Sequence, residues 1–314
     1  MKRYILNRII QLIPILVGIT LFSFLLMNIG STDAVDVIES NTGGAMSALE
    51  KSQLRAELGL DKSLMEQYVV WLSNVLRGNM GTSFISSKPV MPMFLSKLPA
   101  TIYLAFTSIL LTLMISIPMG IFAAVKQNKF SDYLIRFLCF SGNALPNFFV
   151  SLLLIYFFAI KLKLFPVMGN NAGFKSVILP ALTLTIAMAS KYTRMIRTTV
   201  LEELNKDYVQ GARARGIHER KILFFSVLKA SMLTIVTLVG LSMGSLLGGT
   251  AIVESIFMWD GAGKMAIDAI IMRDYPVIQA YVIWMAIIYI MINLFTDIIY
   301  HYLDPRIRLG QEHE

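Results

Sequence analysis

One cysteine, three histidines and a charged fraction of only 15% are spread over 314 residues. The lone cysteine, Cys139, excludes an internal disulfide, and its apolar neighbours mark it as a small buried hydrophobe. So little charge cannot coat a soluble domain of this size. No basic soluble domain is present either, so nucleic acid is not a partner. What the chain does have is apolar sequence, 56% of residues, with a mean hydropathy of +0.65. That balance indicates a multi-span membrane protein.

Several kinds of chemistry are missing as well. A phosphate-cradling loop needs G-x-x-x-x-G-K-[ST]. The nearest match, Gly261-Ala262-Gly263-Lys264, has Met258 in place of the first glycine and Met265 in place of the magnesium-binding hydroxyl. A zinc-protease motif fails at His218-Glu219, because Arg220, Lys221 and Ile222 follow and the second histidine is absent. Gly244-Ser245 resembles a fragment of a serine nucleophile motif. All three histidines (His218, His301, His313) fall at positions expected on the cytoplasmic side, which leaves no base within a span. The chain is therefore expected to be non-catalytic and to bind no cofactor. The nineteen methionines are scattered as packing filler, so no metal ligands are assigned; a transported metal would travel chelated.

Six apolar stretches have the roughly 20 residues needed to cross a bilayer, near 9–30, 100–125, 134–160, 177–198, 227–253 and 277–300. Lipid offers the backbone no hydrogen-bond partners, so all six are expected to be helices and the fold all-α. The N-terminal Lys2, Arg3 and Arg8 lead into apolar sequence with no A-x-A cleavage site before Gly30, which reads as an uncleaved first span. Sixteen of the 28 basic residues lie in the N-terminal tail, the 126–136 loop, the 194–229 region and the C-terminal tail. The positive-inside rule then makes both termini cytoplasmic, although Lys161, Lys163 and Lys175 run against it. The expected organisation is a tail and first span over 1–30, an extracytoplasmic loop over 31–94, a membrane core over 95–303 and a cytoplasmic tail over 304–314. Within the outer segment, Ser63 and Glu66 form a capping box and Gly78 a stop. Between them Leu64, Tyr68, Trp71, Leu72 and Val75 share one helical face.

Residues 207–216, Asp-Tyr-Val-Gln-Gly-Ala-Arg-Ala-Arg-Gly, read as a short helix between the fourth and fifth spans. Asp207 is the expected N-cap, Gln210 its capping-box partner and Gly216 the C-terminal stop. With few large apolar residues, this helix has the look of something another protein grips. Gly240, Gly244 and Gly248 recur every four residues in the fifth span, a stripe for close helix packing within the chain, along a pathway or at a subunit seam. Lys191, Arg194 and Arg197 at the inner end of the fourth span either snorkel or orient the loop that follows. Asn143, Pro146 and Asn147 interrupt the third span, as a kink or as a break beside a pathway. Residues 254–279 read as a re-entrant or capping segment, or as a plain loop. No ionisable residue sits at mid-depth in any span, which argues for an external energy source over an ion-coupled carrier or channel, the rival reading.

The stretch Asp207–Gly216 resembles the inner-membrane permeases of ABC importers, whose signature runs E-A-A, three residues, then Gly. Gln210, Gly211 and Ala212 take the first three places and Gly216 the last, so the glutamate is absent. Further stretches resemble the permeases of the dipeptide, oligopeptide and nickel importers. These include KRYILNRIIQLIP at the start, LGLDKSLMEQY at 58–68, NMGTSF at 79–84, LPAT at 98–101, ILPALTL at 178–184, the 254–279 segment and LDPRIR at 303–308. Asp260 departs from the pattern, which has proline after the tryptophan. The resemblance implies a six-span permease of type I architecture that pairs with a homologous permease as a heterodimer in the lipid bilayer. Two cytoplasmic ATP-binding subunits would use ATP and Mg, and an extracytoplasmic binding protein would deliver substrate. Residues 207–216 would be the coupling helix, with Ala212, Ala214 and Gly216 permitting close approach and Arg213 and Arg215 pairing with acidic groups. Docking is then expected to rest on Ala212, Gly216 and the two arginines. The cargo would be nickel, a metal chelate or a short peptide. PVMGNNAG at 166–173 and NMGTSFISSKPV at 79–90 lie closer to the nickel-type members.

Overall fold

In the computed structural model, residues 2–29, 34–42, 44–169 and 173–303 are described. The expected 304–314 tail, most of LDPRIR and part of PVMGNNAG lie outside them. The described residues are helical apart from short connections and one isolated bridge, Thr82 to Pro89. In order they form α1 (Lys2–Ile29), α2 (Ala34–Thr42), α3 (Ala48–Glu57), α4 (Leu64–Leu76), α5 (Val90–Val125), α6 (Phe130–Ala144) and α7 (Asn147–Leu154), the last continuing as a π-helical stretch, Ile155–Lys161. Then come α8 (Phe174–Leu204), α9 (Asp207–Ala214), α10 (Glu219–Ile222) with a π-helical Leu223–Val227, α11 (Leu228–Ile256), α12 (Ala262–Met272) and α13 (Tyr275–Leu303).

Among the described residues, three helices are long and apolar enough to cross a membrane: Val90–Val125, Phe174–Leu204 and Tyr275–Thr296. Two bent pairs raise the number to five if each is one span, and the apolar part of α1 that meets the same test of composition is the shorter Ile13–Leu25. The main departure from expectation is the stretch 134–160, which is not one continuous span. It is α6 and α7 with its π-helical continuation, meeting at 103°. The cause is local. Proline disfavours the helical conformation in the residue before it, and Leu145 is accordingly extended (φ −82°, ψ 130°), with Pro146 as the N-cap of α7. Each arm has 15 residues, about 22 Å at 1.5 Å per residue, short of the ~30 Å hydrocarbon core. Asn143 is exposed in the last turn of α6, beside this break. A mere kink is ruled out at such an angle. The 254–279 stretch is likewise no plain loop, since it contains α12, whose Ala262, Ala266 and Ala269 are buried.

The chain divides into two units, residues 1–101 with 260–290, and residues 102–259 with 291–314. The first is organised around α4. Both halves of the Ser63–Glu66 capping box form, and Gly78 (φ +81°) ends the helix. Tyr68 is hydrogen-bonded to Thr20 at 3.0 Å, and the Phe24 ring lies 5.4 Å from Tyr68 and 5.6 Å from Trp71. Leu64, expected on the same face, is instead 54% exposed, because it sits in the first turn, beyond the reach of these contacts. Trp71 and Val75 join Met80, Val90, Val277 and Ile283 in one apolar core. Asp274 pins the 83–84 segment: it accepts from Ser83 Oγ at 2.5 Å and from the Phe84 N–H at 3.0 Å. Asp260, the departure from the family pattern, pairs with Lys97 at 2.5 Å.

In the second unit α8 packs against α6 and α11. The core joins Tyr192, Ile196 and Val200 of α8 to Ile222, Val227, Ile235 and Leu238, and the Tyr192 hydroxyl donates to the Leu238 carbonyl at 2.6 Å. Gly240 is buried against Thr296 so closely that a side chain there would displace it. Gly244 is half-buried, and the surroundings of Gly248 lie outside what is described.

Candidate functional site

The 207–216 segment forms the expected helix, with one correction at its start. The N-cap is Lys206, in extended conformation, and no side chain caps the helix. Lys206 already supplies the first acceptor carbonyl, to the Val209 and Gln210 N–H groups at 3.0 and 3.3 Å. The reason is the tightness of the turn: α8 ends at Leu204 and leaves only two residues before α9. Asp207 is thus the first helical residue, where its charge still complements the helix dipole, and Gln210 is not a capping-box partner. The other end matches expectation. Gly216 is left-handed (φ +73°), its N–H bonds to the Arg213 carbonyl at 2.9 Å, and the Ile217 N–H bonds to the Ala212 carbonyl at 3.2 Å. Those two bonds are a Schellman stop, which strains any residue with a Cβ at that position.

The two faces of α9 differ sharply. Val209 and Ala212 are buried in the core with Val200 of α8, Ile222 and Ala124, so α9 does have an anchor in its own chain. Ala212 faces inward and cannot be the contact surface expected of it. Asp207, Gln210, Gly211, Ala214 and Arg215 form the opposite, exposed stripe. A Cβ placed on Gly211 would meet nothing within 4 Å. Nothing among the described residues therefore requires glycine there, although glycine costs a helix roughly 0.5–1 kcal/mol relative to alanine.

Charge fixes the ends of the helix. Arg213 donates from Nε and Nη2 to the Glu219 carboxylate at 2.6 and 3.3 Å, which raises the guanidinium pKa and holds that of Glu219 below its ordinary value. Arg213 is thus engaged within the chain, whereas among the described residues the Arg215 side chain bonds to the Gly211 carbonyl at 3.3 Å alone. Tyr208 donates to Glu203 at 2.9 Å, and burial together with that carboxylate pushes the phenol up to about 12. Next to α9 is a hollow of about 370 Å³, floored by Leu201, Leu204 and Leu223 and rimmed by Gln127, Arg213 and Arg220.

Sequence reasoning missed the partner of Arg197. Asp132, fully buried at the start of α6, receives the guanidinium in a two-pronged contact, 2.7 Å from Nε and 2.7 Å from Nη2, and also accepts from the Asn128 N–H at 3.0 Å. Arg197 is therefore a clamp between α8 and α6, not a snorkelling anchor, while Lys191 and Arg194 remain exposed. The available signal was one carboxylate among Lys126, Lys129 and Arg136.

Residues 116–309 match the model of the binding-protein-dependent transport system inner membrane component, and residues 1–105 match the N-terminal model of the same membrane components. The oligopeptide transport system permease protein AppB of Bacillus subtilis (strain 168) is 37% identical over 317 residues, 98% of this chain and 99% of that one. The glutathione transport system permease protein GsiC of Salmonella typhimurium is 35% identical and that of Escherichia coli (strain K12) 34%, each with 98% and 99% coverage. Among solved structures, a chain from an inward-facing form of the MetNI methionine ABC transporter aligns with a TM-score of 0.59 at 16% identity, covering 69% of this chain and 99% of that one, a likeness of fold. With two family models along its length and full-length relatives above 30% identity, the chain belongs to the binding-protein-dependent transport system inner membrane components, as a multi-pass permease subunit of an ABC importer.

Proposed function

We propose that this permease imports short peptides or peptide-like amides, and that α9 couples its pathway to a cytoplasmic ATP-binding subunit. The cargo reading rests on the relatives, which are named for oligopeptide and glutathione transport. A nickel or metal-chelate cargo has no such support. The coupling reading rests on one observation above all, the exposed glycine in the middle of α9 with open space where its side chain would be. A helix gives up stability at such a position without return unless another surface must come within backbone distance.

In the working assembly the chain pairs with a homologous permease in the membrane, and two ATP-binding subunits hydrolyse ATP while this chain does no chemistry. A binding protein delivers substrate from outside. The six-span topology with both termini cytoplasmic counts α1 as the first span and each bent pair as one more, with 304–314 as an inner tail. The glycines at 240, 244 and 248 then belong to the packing of the fifth span, and Asn143 and Pro146 lie where a broken span opens backbone groups toward a pathway. Closure of the ATP-binding subunits would move α9 as a rigid body with α8, and the Asp132–Arg197 clamp would carry the shift to α6 and its break.

The test is uptake by the complete importer in proteoliposomes. ATP-dependent uptake of labelled di- and tripeptides, competed by unlabelled peptide and indifferent to nickel, is expected. Uptake of free or chelated nickel without peptide competition would overturn the cargo reading, and uptake without ATP the coupling reading.

A further inference from the structure

Helix α8 changes its exterior partway along its length. From Ser176 to Ser190 none of its residues is exposed. α6, α7 and α11 pack around it, and Thr185 donates to the Ser108 carbonyl of α5 at 3.2 Å. Beyond Ser190 a stripe opens. Lys191, Arg194, Met195, Thr198 and Glu202 are exposed, at the spacing of one helical face. The stripe belongs to a helix long and apolar enough to cross the membrane.

The residues of the stripe decide what surrounds it. Exposed stripes on the neighbouring helices suit lipid: Phe106, Leu110 and Met114 on α5, and Phe130, Phe137 and Phe140 on α6. On α8 every exposed residue of the stripe but Met195 is polar. Lys191 and Arg194 are one turn apart, so two positive charges share a face and repel. Among the described residues neither forms an ion pair. Asp132, the carboxylate on neighbouring α6, already holds Arg197 with both oxygens. Glu202 lies two turns from Arg194, about 12 Å by helical rise. Cations that snorkel lay their stems on apolar surface on the way to the interface, but here Thr198 and Glu202 follow. Unpaired cations within a span belong beside water or an anion.

We propose that Lys191 and Arg194 line an aqueous inner part of the translocation pathway and hold the carboxylate of the passing peptide. On the orientation proposed above, α8 runs inward from Phe174 to Leu204. The stripe then opens toward the cytoplasm, while the outer half of the helix is buried within the chain. A carboxylate would accept from the Arg194 guanidinium and the Lys191 ammonium together and relieve their repulsion. The pair would select for a charged end, since a neutral cargo gains nothing from it. The inference rests on the peptide reading of the cargo.

The test uses the assembled importer in nanodiscs, with single cysteines in a Cys139→Ser background and labelling of this chain read by mass. Met195→Cys and Thr198→Cys should react with the anionic sulfonatoethyl methanethiosulfonate at least tenfold faster than Phe137→Cys on the lipid-facing stripe of α6. Relative to a free thiol, the anionic reagent should outpace its cationic trimethylammonium analogue at Thr198→Cys at least fivefold. Adding Lys191→Gln and Arg194→Gln should abolish that preference. Equal rates at all three cysteines would place the stripe in lipid or against another subunit and overturn the proposal, as would a preference that survives the double change. In ATP-driven uptake with excess loaded binding protein, Lys191→Gln with Arg194→Gln should cut the maximal rate at least fivefold for tri-alanine. The loss should be under twofold for tri-alanine amide, at an unchanged thermal midpoint. Equal losses for the two peptides would overturn the carboxylate role. Labelling without any peptide uptake removes the cargo reading and leaves the aqueous stripe, whereas peptide uptake without labelling removes the stripe and leaves the cargo.

Discussion

Helices α4 and α9 end in the same way, on a glycine with positive φ that closes a Schellman turn, yet they are held very differently. α4 has both halves of a capping box at its start, and a tyrosine and a tryptophan seated against Phe24. α9 has no side-chain cap, is anchored by one valine and one alanine, and leaves a glycine exposed in its middle. On the coupling reading proposed above, the difference separates a helix stabilised within its own chain from one whose exposed face is kept clear for another surface.

The comparison can be broken most forcefully at Tyr68. Tyr68→Ala removes the hydrogen bond to Thr20 and the ring contact with Phe24, and should destabilise the first unit by about 3 kcal/mol. Limited proteolysis within 58–80 would report the release of α4, and unchanged protection would contradict the anchoring role. On α9 the matching change is Ala212→Leu, which overfills a buried position and should cost about 1–3 kcal/mol. Its effect should appear as a lower thermal midpoint together with lost uptake. Lost uptake at an unchanged midpoint would return Ala212 to the contact surface that the family signature suggested.

The smallest effect is electrostatic. Glu219 has its pKa depressed in the folded chain by the hydrogen bond from Arg213, so the pair stabilises the turn above the ordinary glutamate range, about 4.3, and that contribution is lost as pH falls through the depressed value. Protection of the amides in 213–219, taken relative to their intrinsic exchange at each pH, should fall only below that range, and Glu219→Gln should remove that fall. Both groups are well exposed, so the change should be slight.

Much of this arrangement was legible in the sequence, for reasons that are local. The stops at Gly78 and Gly216 and the Ser63–Glu66 box depend on residues a few positions apart, and the apolar runs declare the long helices. The Leu145–Pro146 break was readable as an interruption, but its angle was not, since a preceding-residue restriction sets a conformation and not a direction. α3 escaped notice because it buries no residue and so has no apolar period, though its own Ser47–Glu50 box was there to be read. The Asp132–Arg197 clamp joins positions 65 residues apart, a pairing that no periodicity encodes. Asp207 was misplaced by one residue because a preferred capping type is weaker evidence than the two-residue length of the preceding turn. Ala212 was given the wrong face because a signature states which residues recur and not which way they point.

The central claim, that the exposed face of α9 is a seat for the ATP-binding subunit, is tested most directly by Gly211→Leu. Leucine favours the helix over glycine by roughly 0.8 kcal/mol, and the side chain enters open space, so the variant should insert and melt at or above the parent temperature. It should nevertheless lose at least tenfold in ATP-driven uptake and fail to retain the ATP-binding subunits on purification. Parental uptake with the subunits still bound would contradict the claim.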